Sequence, residues 1–391
     1  MNIYEELGVK PIINAAGTQT FLGGSIVHPK VLEAMDEASQ KYVNMGELIE
    51  KAGEFIAEVT GAEAGLVTAG CYAALVVGTA ACIMRGTDLE KIDNHPLHHY
   101  PESKEWIDLI QIPPDTEGLK NKVIIQRGHY TPYEHAFRVG GGKLLKVGSE
   151  DSCTVKEIEE AIDEKTAAIA FIVARNERGV PLEEVIAIGR KHDVPVIVDA
   201  AAELPPRENL RKFVAMGADL VAFSGGKAIM GPNDTGFLCG RRDLIRLAAL
   251  QAFPYHGIGR AAKVDRAQVV GLITALKLFL EKDEEAEFKG WEDKLKTVIA
   301  VLKDVPHIKG MEIKIETETR RSPVLTIEID VDTLKVGSKE LAYRLRETPP
   351  YVWVLFAEPD KLMVFPYTLK DGEERIVAES IKRVLNSQIS G

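Results

Sequence analysis

From Gly65 to Ser224 the chain alternates short apolar runs with stretches of helical periodicity. The runs are GLVT, KVIIQ, KLLKV, TAAIAFIVA, VPVIVDA and DLVAFSG, and the helix after KLLKV opens on a capping box from Thr154 to Glu157. Strands that are apolar throughout must be covered on both faces, and strand–helix alternation joins them by crossovers. The pattern therefore predicts an α/β domain on a mostly parallel sheet. DTGFLCG, after a Gly-Pro turn, reads as a strand returning toward the preceding one.

Upstream stand a strand-like segment from Pro11 to Asn14, a helix opened by Pro29, and a helix with Leu48, Ile49, Ala52, Phe55, Ile56 and Val59 on one face, closed by Gly61. From about Val264 the texture changes to long charged helices, then to MEIKIETE, PVLTIEIDV, YVWVLF and KLMVFP. That tail reads as a smaller α+β domain with an antiparallel sheet. The expected division is 1–60, an N-terminal segment packing with the small domain; 61–262, the large domain; and 263–391, a long helix and the small domain. A segment from Ile92 to Asp115, rich in Pro, His and acids, reads as a loop or lid. Its His95, His98 and His99 invite a zinc reading, but Pro96 breaks helical spacing and no cysteine is near, so a solvated loop is the better account.

With 45% hydrophobic and 27% charged residues among 391, the chain has the composition of a packed globular protein. Its 59 acidic against 48 basic residues, net -11, disfavour nucleic acid as a partner. Cys71, Cys82, Cys153 and Cys239 form no C-x-x-C pair, which argues against a disulfide framework and suits a reducing cytoplasm. The opening MNIYEELGVKPIINAAG lacks signal-peptide character, and the longest apolar stretch, Ala73 to Met84, is too short to span a bilayer.

The strongest chemical signal is FSGGKAIMGPNDTG, where a buried strand runs into a glycine turn and delivers Lys227 at the carboxyl edge of a parallel sheet. A desolvated lysine there can attack a carbonyl and form a Schiff base, although an S-G-G-K turn alone is more often a surface feature. Asp199 ends the run VPVIV and is followed by Ala200, Ala201 and Ala202, which suits a carboxylate facing a heterocyclic nitrogen while a flat ring lies on the alanines. TAGCYAA, from Thr68 to Ala74, turns a strand into a helix whose free N–H groups can bind phosphate. Asp199 could be a helix cap and the glycine turn a packing device, but the three together form a rarer set than any one of them.

With INAAGTQTFLGGS, TGAEAGLVTAGCYAAL, VIIQRGHY, VPVIVDAAAELPP, GADLVAFSGGKAIMGPNDTGFLCGRRDLI and GIGRAAKV in this order, the chain resembles fold-type I enzymes of pyridoxal 5′-phosphate (PLP). Within them it resembles the group related to selenocysteine synthase, the L-seryl-tRNA(Sec) selenium transferase, and more narrowly its D-glucosaminate-6-phosphate ammonia-lyase-like members. The resemblance runs from about Tyr4 to Ala275. It implies a seven-stranded sheet in the large domain, Lys227 as the cofactor lysine and Asp199 as the ring-nitrogen partner. It also implies Gly70, Cys71 and Tyr72 as phosphate-loop residues helped by Ser224, a stacking place for His129, and a position near the cofactor for Arg260. The planar guanidinium of Arg260 suits a substrate carboxylate or phosphate, with a domain-interface salt bridge as the other account; Arg127 is a second anion-binding candidate.

The expected chemistry is β-elimination from a small amino acid or phosphorylated amino sugar acid, giving a 2-oxo acid and ammonia. Racemisation or epimerisation is the alternative, and selenium transfer on seryl-tRNA comes third, because the chain opens almost directly on the catalytic pattern and is acidic. The second acid would come from His129, Tyr133, His135, Glu203 or His256. The resemblance further implies a homodimer or larger homo-oligomer with the site between subunits.

Overall fold

The apolar runs become strands. In the computed structural model, which describes residues 3–92, 104–317 and 320–387, they gather into two sheets. After a short first strand, β1 (Ile13–Ala15), come β2 (Ala64–Thr68), β3 (Lys122–Gln126), β4 (Lys143–Val147), β5 (Thr166–Ile172), β6 (Val196–Asp199), β7 (Leu220–Ser224) and β8 (Gly236–Gly240). Strands β2 to β8 form a seven-stranded sheet in the order β2-β8-β7-β6-β5-β3-β4. Only β8 runs against its neighbours, pairing antiparallel with both β7 and β2. The other pairs are parallel. The carboxyl ends of β2, β3, β5, β6 and β7 therefore share one edge, where ligand crevices of open α/β sheets form.

Three helices flank β2 in sequence: α1 (Pro29–Ser39) and α2 (Met45–Thr60) before it and α3 (Gly70–Met84) after it. Helix α3 is buried from Ala73 to Met84. Its one buried hydroxyl is satisfied inside the helix, Thr79 Oγ1 donating to the Leu75 carbonyl at 2.7 Å. Gly78 brings it close to the sheet, since a Cβ there would already touch Leu238 Cδ2 at 3.4 Å.

Residues 27–281 form one compact unit, and residues 1–26 with 282–391 form the other. The divisions expected after residues 60 and 262 thus fall after 26 and 281. Residues 27–60 join the larger unit because their partners are distant in sequence. Arg266, which opens α4 (Arg266–Glu281), donates to the carbonyls of Ala38 at 2.9 Å and Ser39 at 2.6 Å. Gly271 of α4 leaves room for Met35, and Gly53 of α2 approaches Gly65 of β2 so closely that a Cβ would collide with the Gly65 carbonyl.

The expected loop at 92–115 contains a helix, Lys104–Ile110, that buries Ile110 and packs Trp106 and Leu109 against the core. Three apolar residues on one face of two turns were masked by the surrounding Pro and His. His95, His98 and His99 lie outside the described residues.

In the smaller unit β9 (Ile308–Glu316), β10 (Ser322–Ile329), β11 (Val352–Ala357) and β12 (Lys361–Val364) form an antiparallel sheet. Strand β1 joins it in parallel beside β11, with Ile13 opposite Val352. Helices α5 (Glu284–Leu302), α6 (Ser338–Glu347) and α7 (Glu373–Asn386) complete a separate core that includes Leu295, Val298, Ile327, Val354 and Ile381. Among the described residues, no helix is long and apolar enough to cross a membrane.

Candidate active site

Strand β7 ends at Ser224, and the chain turns through Gly225 and Gly226 to Lys227. The turn is tied down from beneath: Gly225 N–H donates to the Thr235 carbonyl at 2.8 Å, and Gly231 N–H donates to the Gly225 carbonyl at 2.9 Å. A side chain at Gly226 would meet Asn233 Cα at 2.5 Å, so the turn needs glycine for this close approach. Lys227 is half-buried, its carbonyl accepting from Met230 N–H at 3.0 Å.

On the neighbouring strand Asp199 ends β6 and is only 8% exposed. Its Oδ1 accepts the Ala201 N–H at 3.0 Å and the Cys71 thiol at 3.6 Å. Burial pushes its carboxyl above the ordinary range. The Ala201 N–H, the Lys227 charge and the Cys71 thiol pull the other way. Ala200 is buried, while Ala201 and Ala202 remain half-buried beside the carboxylate.

Cys71 belongs to the turn from β2 into α3. Gly70 has φ +82, and Ala69 at the N-cap makes no side-chain hydrogen bond. The first N–H groups of α3 therefore have no capping side chain, and they carry the positive end of the helix dipole. β8 seats this turn: a Cβ on Gly236 would lie 2.6 Å from Cys71 N and 2.6 Å from Gly70 C. Burial raises the Cys71 thiol well above its usual range, Asp199 adds to this, and Lys227 opposes it. Tyr72 is 38% exposed, and its hydroxyl meets Nδ1 of His135 at 2.9 Å.

His129 follows β3 and is fully buried. Its Nδ1 accepts the Ile172 N–H at 3.2 Å, so the proton of the neutral ring resides on Nε2. Gln126 Nε2, 3.4 Å from that nitrogen, is itself a donor, because the Gln126 amide is oriented by Val180 through its Nε2–H to the carbonyl at 2.9 Å and its Oε1 from the N–H at 2.7 Å. Desolvation, then Arg175, holds the His129 ring at about 4, so it is neutral near pH 7. Phe171 packs against it in a T-shaped contact at 4.6 Å.

The remaining candidates are spread out. Arg260 sits over the Phe253 ring at 5.3 Å, and its buried Nε has no hydrogen-bond partner. Arg127 is exposed and donates from Nε to the Gly148 carbonyl at 3.1 Å, beyond the end of β4. Glu203 is buried, whereas Tyr133 and His256 are exposed. The fold brings Lys227, Asp199 and Cys71 into one electrostatic group, and Tyr72, the next residue of α3, pairs with His135. Sequence reasoning missed Gly236 as the seat of the α3 turn and the thiol contact to Asp199. The spacing of β8 after the lysine turn was the only available signal for the first.

These features fit PLP. A carboxylate in a dry pocket matches a ring nitrogen, uncapped helix N–H groups match a phosphate, and an amine at the next strand end matches an aldehyde. Fold and site together define a PLP-dependent enzyme of fold type I. The family described as SelA, L-seryl-tRNA selenium transferase, matches residues 113–379, and the chain belongs to it. A Streptomyces 5′-C-glycyluridine monooxygenase-decarboxylase is 32% identical over 96% of this chain and 90% of that protein. A D-glucosaminate-6-phosphate ammonia lyase of Salmonella typhimurium is 29% identical over 98% of each. A solved structure of D-glucosaminate-6-phosphate ammonia-lyase superposes with TM-score 0.82 at 28% identity, covering 100% of this chain and 99% of that one.

Proposed function

We propose that this enzyme is a lyase that eliminates a β-hydroxyl from a small amino acid or phosphorylated amino sugar acid and releases a 2-oxo acid and ammonia. The observation that carries the reading is the Lys227–Asp199–Cys71 group at the carboxyl edge of the sheet in a chain so similar to the ammonia-lyase. Lys227 Nζ would hold the cofactor aldehyde, Asp199 the ring nitrogen, and the N–H groups of Gly70, Cys71 and Tyr72, with Ser224, the phosphate. When bound, PLP withdraws electrons from the substrate's amino-bearing carbon.

Lys227 Nζ would also be the base that removes the substrate's α-proton. Asp199 stays anionic and keeps the opposing nitrogen protonated. His129, neutral and wedged by Phe171, offers a flat face for stacking rather than a cationic acid. The Tyr72–His135 pair protonates the departing hydroxyl, a role worth about 10² to 10⁴ in rate. Arg260, with its unpaired Nε, holds the substrate's carboxylate or phosphate, and Arg127 is a second anion contact. Hydrolysis of the unsaturated amine then yields the 2-oxo acid and ammonia.

A second reading has a specific support in the relative named a monooxygenase-decarboxylase, namely dioxygen-dependent decarboxylation at the same carbon. Racemisation would follow if Cα is reprotonated from the other face. The holoenzyme, incubated with D- and L-β-hydroxy amino acids and phosphorylated amino sugar acids, separates the three. Ammonia and 2-oxo acid in equal amounts without oxygen uptake support the lyase. Oxygen uptake with carbon dioxide release, or loss of optical activity without ammonia, contradicts it.

The reading includes a cytoplasmic homodimer or larger homo-oligomer with the active site at the subunit interface. The four cysteines, all free, support the compartment. Large apolar side chains left on the surface, Leu7 at 71%, Phe21 at 68% and Tyr42 at 99% exposure, support self-association.

A further inference from the structure

Family resemblance makes Cys71 a phosphate-loop residue, a role that uses only its backbone N–H. Its side chain points elsewhere. The thiol is buried and donates to Oδ1 of Asp199 across 128 residues of sequence, from the first turn of α3 to the end of β6. Nothing in a phosphate loop requires a donor there. A thiol is a weak hydrogen-bond donor, but a charged acceptor in a dry setting strengthens the contact.

We infer that Cys71 is a positioning residue for Asp199: its thiol, with the Ala201 N–H, fixes the carboxylate by Oδ1 and keeps it ionised to receive the ring nitrogen of PLP. The inference rests on Asp199 being that partner. Two independent features support the assignment. The Cys71 backbone cannot drift, because β8 passes beneath it with Gly236 in contact distance of Cys71 N. The second donor, Ala201 N–H, approaches the same oxygen at 3.0 Å, so both described donors clamp one oxygen of the carboxylate. One residue thereby serves two parts of the cofactor: its N–H belongs to the phosphate end and its side chain to the carboxylate at the nitrogen end. A change in the α3 turn is then felt at Asp199 without any contact to the ring.

The sign of the effect follows from the hydrogen bond. A donor to a carboxylate favours the ionised form, so removing the thiol makes Asp199 harder to ionise. A protonated Asp199 cannot pair with a cationic ring, so PLP affinity of the apoprotein must fall on the acid side. Loss of the thiol moves that fall to higher pH.

The test is the pH profile of PLP binding to the apoprotein, read by equilibrium titration, for wild type, Cys71→Ala, Cys71→Ser, Asp199→Asn and the double variant Cys71→Ala/Asp199→Asn. In Cys71→Ala the acid limb should move up by about one pH unit, which is about a tenfold loss of affinity on that limb. Cys71→Ser, which keeps a donor, should restore the wild-type limb. Asp199→Asn should abolish the part of the limb set by Asp199, leaving the part set by Lys227, whose amine must lose a proton to bond the aldehyde, and adding Cys71→Ala to it should change nothing further. An acid limb unmoved in Cys71→Ala, moved equally in Cys71→Ser, or moved by Cys71→Ala in the Asp199→Asn background overturns the inference while leaving Asp199 as the partner. An Asp199→Asn protein that keeps the wild-type limb overturns both, and so identifies which of the two has failed.

Discussion

Gly236 and Cys71 are in such close contact that a single methyl group on the first would stand 2.6 Å from the backbone nitrogen of the second. That contact joins β8, the one antiparallel strand of the sheet, to the turn whose N–H groups are offered to phosphate. Gly236→Ala should therefore push the α3 turn away from the strand. The expected result is PLP affinity weakened by about tenfold or more, with a stability loss of about 1 to 3 kcal/mol from overpacking. Cofactor titration and urea unfolding of the variant check it, and unchanged values in both would show that the turn is not seated as described.

Asp199→Asn keeps the shape and removes the charge. Cofactor should still bind at neutral pH through Lys227 and the α3 turn, while α-proton removal slows by about 10- to 1000-fold, the range expected from losing an opposite charge beside a cation. Exchange of the substrate α-proton with deuterated solvent measures this step directly. Wild-type exchange would remove Asp199 from the mechanism.

His129 gives a pH prediction. Its ring is held at about 4 in the folded chain against an ordinary 6.5. Between these values the unfolded chain binds a proton that the folded chain does not, so stability falls as pH falls through this window and is unaffected above it. From pH 7 to pH 5 the loss assigned to His129 is about 2 kcal/mol. NMR titration of the imidazole should show a midpoint near 4 with the proton on Nε2, and His129→Leu should flatten the stability profile over that window. A midpoint above 6 would contradict the buried, neutral ring.

Much of this site was legible because strand ends carry it. VPVIVDA and DLVAFSG announce buried strands, and parallel pairing puts Asp199 and Lys227 at the same edge whatever the strand order. The Gly-Pro turn marks the return of β8 toward β7, but the pairing of β8 with β2 on its other side depends on long-range contact that leaves no local mark. The same is true of the unit boundaries. Helices α1 and α2 look like an N-terminal appendage until Arg266 reaches Ala38 and Ser39. The direction of the Arg127 side chain after β3 is not encoded in VIIQRGHY; the fold turns its Nε to the Gly148 carbonyl. Among five candidate acids, only the fold could bring His135 to Tyr72.

The family is described by a selenium transferase of L-seryl-tRNA, and we propose that the acidity of this chain disfavours that partner. With a formal net charge of -11, release of counterions from a polyanion offers little binding energy. Filter binding at physiological ionic strength should give a dissociation constant for seryl-tRNA no tighter than about 10⁻⁵ M, the non-specific range. Saturable submicromolar binding would restore the transferase reading.

In the proposed function everything turns on Lys227 as the residue that would hold the cofactor. Borohydride reduction of the holoenzyme followed by peptide mass mapping tests it directly, because reduction fixes the lysine–cofactor bond as a stable amine. A single pyridoxyl-phosphate adduct on Lys227 is expected, and none in Lys227→Ala. An adduct on another lysine, or a Lys227→Ala protein that still gains one and turns over, would contradict it.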